Sequence, residues 1–340
     1  MTPARAARIT AFLATTKWRD AIRSDLAGDA SNRRYERLND PNLGSAVLMD
    51  APPETGEDIA PFVKIAKHLE SLDLSAPELY AFDARLGLML LEDLGDALFA
   101  RHLEHHLEQE EPLYHAAIDT LVAAQKAAPP PDLPKYGVPE MTIASGLALD
   151  WYARFATDDT PTDQTKKTFQ DLVRDSLEAA LCTRTVLVQR DYHAENLLWL
   201  PDRDGPARVG LLDFQDAALG PASYDLASLL VDIRREVSAE TCRSGIAHFL
   251  DQTGYEAEAF HFEFSTLSAQ RNLRILGVFT RLCVRDGKSD YPDMIAQVWA
   301  NLQNDLSHPK LDRLRDVVNQ HLPAPNPAIV ARIKASHVSA

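Results

Sequence analysis

The chain has 340 residues, 45% of them apolar, enough for about two domains with sizeable buried cores and too hydrophobic for extensive disorder. Its 50 acidic residues against 35 basic ones give a formal charge of −15, which argues against a general nucleic-acid-binding role or docking on an anionic membrane. Cys182, Cys242 and Cys283 are too few and too scattered for a zinc site or a disulfide framework. No run of ~18 apolar residues is present to span a membrane, and the apolar stretch 9–14 is too short for a signal-peptide core. The expected location is the cytoplasm.

In chain order, residues 3–20 read as an amphipathic helix. A loop of small residues follows at Gly28, Asp29, Ala30, Ser31 and Asn32. Residues 33–39 and 45–49 read as two antiparallel strands around the Asp40-Pro41-Asn42 turn. After the breaker cluster 51–56, Ile59, Phe62, Ile65, Ala66 and Leu69 have the spacing of one helix face, predicting a helix over 58–71. Residues 80–82 and 86–91 predict two more strands. The segment 92–96 reads as a hinge, and helical patterns dominate 97–181 apart from the proline run at 129–134. A compact β segment is expected at 185–188, 197–200 and 209–212, with helices over 222–335. The organisation is therefore α+β, with a small antiparallel β lobe at 1–94 and a larger, mainly helical lobe at 95–340.

The chemistry is concentrated in Gln189-Arg190-Asp191-Tyr192-His193-Ala194-Glu195-Asn196 and, close behind it, Leu211-Leu212-Asp213. Phosphoryl transfer needs this combination. A carboxylate must orient a hydroxyl nucleophile and accept its proton, while an amide oxygen and a second carboxylate hold Mg²⁺ against phosphates. Asp191 is the candidate catalytic base, and Asn196 and Asp213 are the candidate metal ligands. Strands on either side of the loop would fix their spacing. Asp216 reads as a metal or substrate contact or equally as a surface turn. His193 reads as a packed histidine in preference to a base. Gly220-Pro221 reads as a turn, with Ser223 or Asp225 starting the next helix.

These residues resemble the aminoglycoside and choline phosphotransferase family, which has the protein-kinase-like fold. Arg190-Asp191 with Asn196 matches its catalytic loop, Asp213 its metal-binding Asp, and Tyr224-Asp225 its following motif. The resemblance implies two lobes, ATP and Mg²⁺ as cofactors, and a small-molecule acceptor with a free hydroxyl. It also implies that Asp225 braces the catalytic loop, that residues 28–32 and Arg34 cover the nucleotide phosphates, and that Glu92 and Leu94 receive adenine. The longer phrases RDYHAENLLWLP and LLDFQDAALGPASYDLASLL are similar to bacterial kinases that phosphorylate the anomeric hydroxyl of cell-wall amino sugars. Aminoglycosides, choline and other metabolites remain alternative acceptors. One departure stands out. Kinases of this fold carry a lysine in the third strand, whereas the matching strand here, Ala46-Val47-Leu48-Met49-Asp50, has none. That opens two readings: a non-catalytic nucleotide-binding scaffold, or transfer of the phosphate contact to Arg33, Arg34 or Arg37, whose planar fork suits phosphate oxygens.

Overall fold

The structure, a computed structural model, describes residues 2–26, 33–157 and 160–337. The expected phosphate loop at Gly28, Asp29, Ala30, Ser31 and Asn32 lies outside the described residues. In chain order the elements are α1 (Pro3–Ala14), β1 (Ile22–Leu26), β2 (Arg34–Asp40), β3 (Gly44–Asp50), α2 (Ala60–Glu70), β4 (Leu79–Asp83), β5 (Leu88–Glu92), α3 (Phe99–His105), α4 (Glu110–Lys126), α5 (Val138–Ser145), α6 (Arg154–Ala156), α7 (Asp163–Ala180), β6 (Thr185–Val188), β7 (Leu197–Trp199), β8 (Val209–Leu211), β9 (Ala218–Pro221), α8 (Tyr224–Leu230), α9 (Ala239–Thr253), α10 (Ala257–Asp286), α11 (Ile295–Asp305), α12 (Asp312–His321) and α13 (Pro327–Ala335). The backbone sorts into two compact units: an N-terminal unit of Met1–Pro130 with Ala194–Ala217, and a C-terminal unit of Pro131–His193 with Ala218–Ala340. No helix among the described residues is long and apolar enough to cross a membrane.

The N-terminal unit is built on an antiparallel five-stranded sheet in the order β1-β2-β3-β5-β4. Side chains alternate across a strand, so Leu38, Ala46, Leu48, Leu88 and Leu90 fall on one face. There they pack with Ile9, Phe12 and Leu13 of α1 and with Trp18. The i, i+3, i+4 spacing of the α1 residues makes the matching apolar stripe. Helix α1 starts where Thr2 Oγ1 accepts the Arg5 N–H at 3.3 Å. It stops at Ala14, not at residue 20 as the periodicity predicts. The hydroxyls of Thr15 and Thr16 turn back to the Phe12 and Leu13 carbonyls at 2.7 and 2.9 Å, which competes with continuing the helix. A buried ion pair ties α1 to the sheet: Arg5 donates from Nε and Nη2 to Asp50 Oδ1 at 2.8 and 2.5 Å and from Nη2 to the Leu86 carbonyl at 2.6 Å.

Two strands escape the sequence pattern. β1 pairs with β2 in register from Ile22 opposite Asn39 to Leu26 opposite Tyr35. It is an edge strand with polar residues on both faces, so no apolar alternation marks it. β9 contains the expected Gly220-Pro221 turn, yet these residues pair with Val186 and Thr185 of β6. A proline is tolerated there because β9 is an edge strand of a two-stranded sheet.

The C-terminal unit is organised on α10, a 30-residue helix. It packs against α5, α7, α8, α11 and the widened helical turn Ala148–Ala153. Glu263 of α10 is fully buried. Its carboxylate accepts from the Thr183 N–H at 2.7 Å and the Thr183 hydroxyl at 2.5 Å, as well as from the Cys182 N–H and the Ser223 hydroxyl. One carboxylate therefore fixes both the approach to β6 and the start of α8.

Candidate active site

In the N-terminal unit, the β7–β8 hairpin brings the two candidate metal ligands together. Leu197, Leu198 and Trp199 pair with Leu211, Gly210 and Val209. One residue beyond this ladder the Leu212 N–H donates to the Asn196 carbonyl at 3.0 Å. Asn196 and Asp213 thus sit at adjacent ends of the two strands. Asp213 has φ +55°, a left-handed conformation uncommon for a residue with a Cβ and concentrated at functional sites. Its Oδ1 accepts from Gln215 Nε2 at 2.6 Å. Next to it, Phe214 is fully buried and its ring lies 4.7 Å from that of Phe62 on α2. An amide oxygen and a carboxylate are hard donors of the kind Mg²⁺ takes, alongside phosphates and waters. Among the described residues no group of three or more His, Cys, Asp or Glu forms a metal cluster.

The segment 92–96 belongs to the same unit. Glu92 closes β5, and its Oε1 accepts from Arg203 Nη2 at 2.5 Å. Arg203 Nη1 also donates to Ser75 Oγ at 2.6 Å. The Leu94 side chain covers Gly210 so closely that a Cβ added there would lie 3.1 Å from Leu94 Cδ1. The three arginines near the undescribed loop take different positions. Arg34 is exposed. Arg37 forks onto Asp93, with its Nε 2.7 Å from Oδ2, and onto Asp96 at 2.8 and 2.9 Å. Arg33 reaches Glu57, with Nε 2.9 Å from Oε2, and its Nη1 lies 3.9 Å from Asp213 Oδ1.

In the C-terminal unit, β6 delivers the segment 189–193. The Asp225 carboxylate at the start of α8 is completely buried and accepts the N–H groups of Gln189 at 2.6 Å and Arg190 at 2.8 Å. Burial raises this carboxyl to about 6, against the opposite pull of those two N–H groups and Arg271. Arg190 has φ +74°, and its guanidinium lies over the Tyr136 ring at 4.7 Å. Arg271 of α10 donates to the Arg190 carbonyl at 3.3 Å and to Ser228 Oγ at 2.7 Å. The backbone entering Asp191 is thereby held from two helices.

Asp191 and His193 line a pocket of about 130 Å³ that also carries Asp232, Arg234, Arg271 and Arg274, with an apolar wall from α10 that includes Ile275 and Val278. His193 is buried, and its Nε2 lies 3.0 Å from Arg234 Nη1. Burial first, and Arg234 second, push the imidazole down to about 3. It is therefore neutral at physiological pH and suited to packing, not to proton relay. Asp216 is exposed. Glu57, Arg203, Arg271 and Arg274 are not marked by any motif. The available signal for the last two was their i, i+3 spacing on an otherwise apolar face of a long helix.

The chain belongs to the phosphotransferase enzyme family, whose model matches residues 23–261. Among its relatives are the N-acetylmuramate/N-acetylglucosamine kinase of Caulobacter vibrioides, 38% identical over 94% of this chain and 97% of the relative, and that of Pseudomonas putida, 31% identical over 86% of each. Among solved structures, a choline/ethanolamine kinase family protein from Mesorhizobium loti matches 93% of this chain and 99% of its own with a TM-score of 0.62 at 14% identity. Amicoumacin kinase hAmiN, solved in complex with AMP-PNP, Ca²⁺ and Ami, matches 91% of this chain and 95% of its own with a TM-score of 0.62 at 16% identity. At such identities these neighbours establish the fold, which is protein-kinase-like.

Proposed function

We propose that the chain moves the γ-phosphate of ATP to a hydroxyl, the anomeric one, of an N-acetylated amino sugar: N-acetylmuramate or N-acetylglucosamine. The observation that carries this reading is the charge of the pocket around Asp191. Its two carboxylates, Asp191 and Asp232, face three guanidinium groups, Arg234, Arg271 and Arg274, and a neutral His193. A pocket for a cationic alcohol such as choline or an aminoglycoside would carry an excess of carboxylates. This one suits a neutral or acidic acceptor, and the activities named for the relatives point the same way.

In this reading the segment 1–94 supplies the nucleotide contacts and 95–340 the catalytic and acceptor groups. Residues 28–32 and Arg34 cover the phosphates, and the backbone of Glu92 and Leu94 receives adenine. Asn196 and Asp213 hold Mg²⁺, which when bound neutralises charge on the transferring phosphates. Asp191 orients the sugar hydroxyl in line with the phosphorus and accepts its proton as the new P–O bond forms. No covalent enzyme intermediate is needed, since positioning and charge neutralisation supply most of the rate. ATP supply places the reaction in the cytoplasm.

The test is an incubation with MgATP and a panel of N-acetylmuramate, N-acetylglucosamine, choline and an aminoglycoside, read by mass spectrometry. A phosphorylated amino sugar, with the cationic acceptors unchanged, is the expected product. Transfer to choline or the aminoglycoside alone would refute the assignment.

A further inference from the structure

Kinases of this fold anchor the nucleotide phosphates with a lysine on the third strand, held in place by a glutamate of the following helix. Here β3 ends in Asp50, and that carboxylate is engaged by Arg5. The strand therefore carries no amine, and its terminal acid lies on the α1 face, engaged by Arg5. A different cation, from the segment just before β2, lies beside the candidate metal ligand Asp213. Arg33, directly before β2, is largely buried, with 14% of its side chain exposed. Its Nε edge takes Glu57, three residues ahead of α2. Its Nη edge is the one turned to Asp213. Helix α2 is itself seated on the segment that follows Asp213 through the Phe62–Phe214 contact.

From this arrangement we infer that Arg33 replaces the strand lysine as the phosphate-gripping cation, with Glu57 as its positioning residue. The inference rests on the ATP-dependent reading above. Exposed Arg34 adds to the phosphate cover proposed above without the buried, carboxylate-held position of Arg33, and Arg37 is committed to Asp93 and Asp96. A guanidinium held by Glu57 at Nε, with Tyr35 also bonded to it, turns its Nη1 toward Asp213 and has the planar shape that suits phosphate oxygens. That geometry matches two oxygens of adjacent phosphates better than the single point charge of an ammonium does.

The decisive measurement is nucleotide affinity by calorimetry in the full chain, with ATP and adenosine compared and no acceptor present. Arg33→Met should weaken ATP by about 10- to 100-fold, the range of one charge-assisted contact, and leave adenosine unchanged. Arg33→Lys should recover part of the loss. Glu57→Gln should weaken ATP less, and the double variant Arg33→Met/Glu57→Gln should be no worse than Arg33→Met, because the two residues act as a unit. Equal losses for ATP and adenosine, or an unchanged ATP affinity in both Arg33 variants, would overturn the inference. Should Arg33→Met fold poorly, the ATP-to-adenosine ratio of Arg33→Lys decides the same question. Wild-type phosphorylation of the sugar panel is a separate result. Sugar transfer can stand while this inference falls, and ATP binding by way of Arg33 can stand while the acceptor proves to be another alcohol.

Discussion

Asp225 acts on the backbone from inside the core. Its buried carboxylate collects the N–H groups of Gln189 and Arg190 and so sets the path of the backbone into Asp191. Because burial raises it from its ordinary value of 3.8 to about 6, the folded chain holds this proton more tightly than the unfolded one. The associated stability is full below about 3.8, declines as pH rises, and is gone above about 6. Denaturant titrations of wild type and Asp225→Asn should therefore show a stability difference that shifts against wild type by about 2 kcal/mol between pH 4 and pH 6. A flat difference would mean the carboxyl is not raised. Asp191→Asn should lower kcat by about 10²- to 10⁴-fold, the usual worth of a general base, with ATP affinity nearly unchanged. Since His193 sits near 3, the pH profile of kcat/KM should show no limb that disappears in His193→Gln. Asp191, Asn196 and Asp213 stood out in the sequence as candidates because phosphoryl transfer uses those side-chain types, and the adjacency of Asn196 and Asp213 follows from the short β7–β8 hairpin that separates them in the chain. Arg33 with Glu57, separated by 24 residues, and the pocket arginines of α10 did not. Their roles exist only once β2, α2 and α10 are placed.

The elements differ in how well they announce themselves. Helix α2 carries an i, i+3, i+4 apolar stripe, and β3 and β5 are short continuous apolar runs beside turn signals, so all three were readable. β1 was not, because an edge strand with polar residues on both faces has no alternation to detect. Nor was β9, whose Gly-Pro pair is locally a turn signal overridden by pairing with β6. The same dependence on packing makes two elements vulnerable to single substitutions. On α10, a Cβ at Gly277 would lie 2.3 Å from the carbonyl carbon and oxygen of Leu147. Gly277→Ala should therefore cost at least about 1–3 kcal/mol of stability, the range for overpacking a closed interface, measurable as a lower denaturant midpoint. On α1, Arg5→Met would strand Asp50 without its cation. The expected loss is about 3–5 kcal/mol, the usual result of removing one partner of a buried pair. A loss below 1 kcal/mol would show that the pair contributes little to holding α1 on the sheet.

At the scale of the whole chain, the formal charge of −15 opposes the approach of an anionic nucleotide, and attraction is left to local groups. Raising salt from about 10 mM to about 150 mM shortens the Debye length and screens that repulsion, so KM for MgATP should fall over this range; a rise would mean that local attraction dominates the approach. The charge was plain from composition, whereas its reversal within the Asp191 pocket was not, because that pocket draws its guanidinium groups from distant parts of the sequence. The acid that ends β3 also has a practical outcome for chemical proteomics. Acyl-phosphate nucleotide probes tag kinases by acylating the amine beside the bound phosphates, and β3 offers no such nucleophile. A probe-based survey of ATP-users would pass over this enzyme, while a dicarbonyl reagent selective for guanidines should inactivate it and be blocked by ATP.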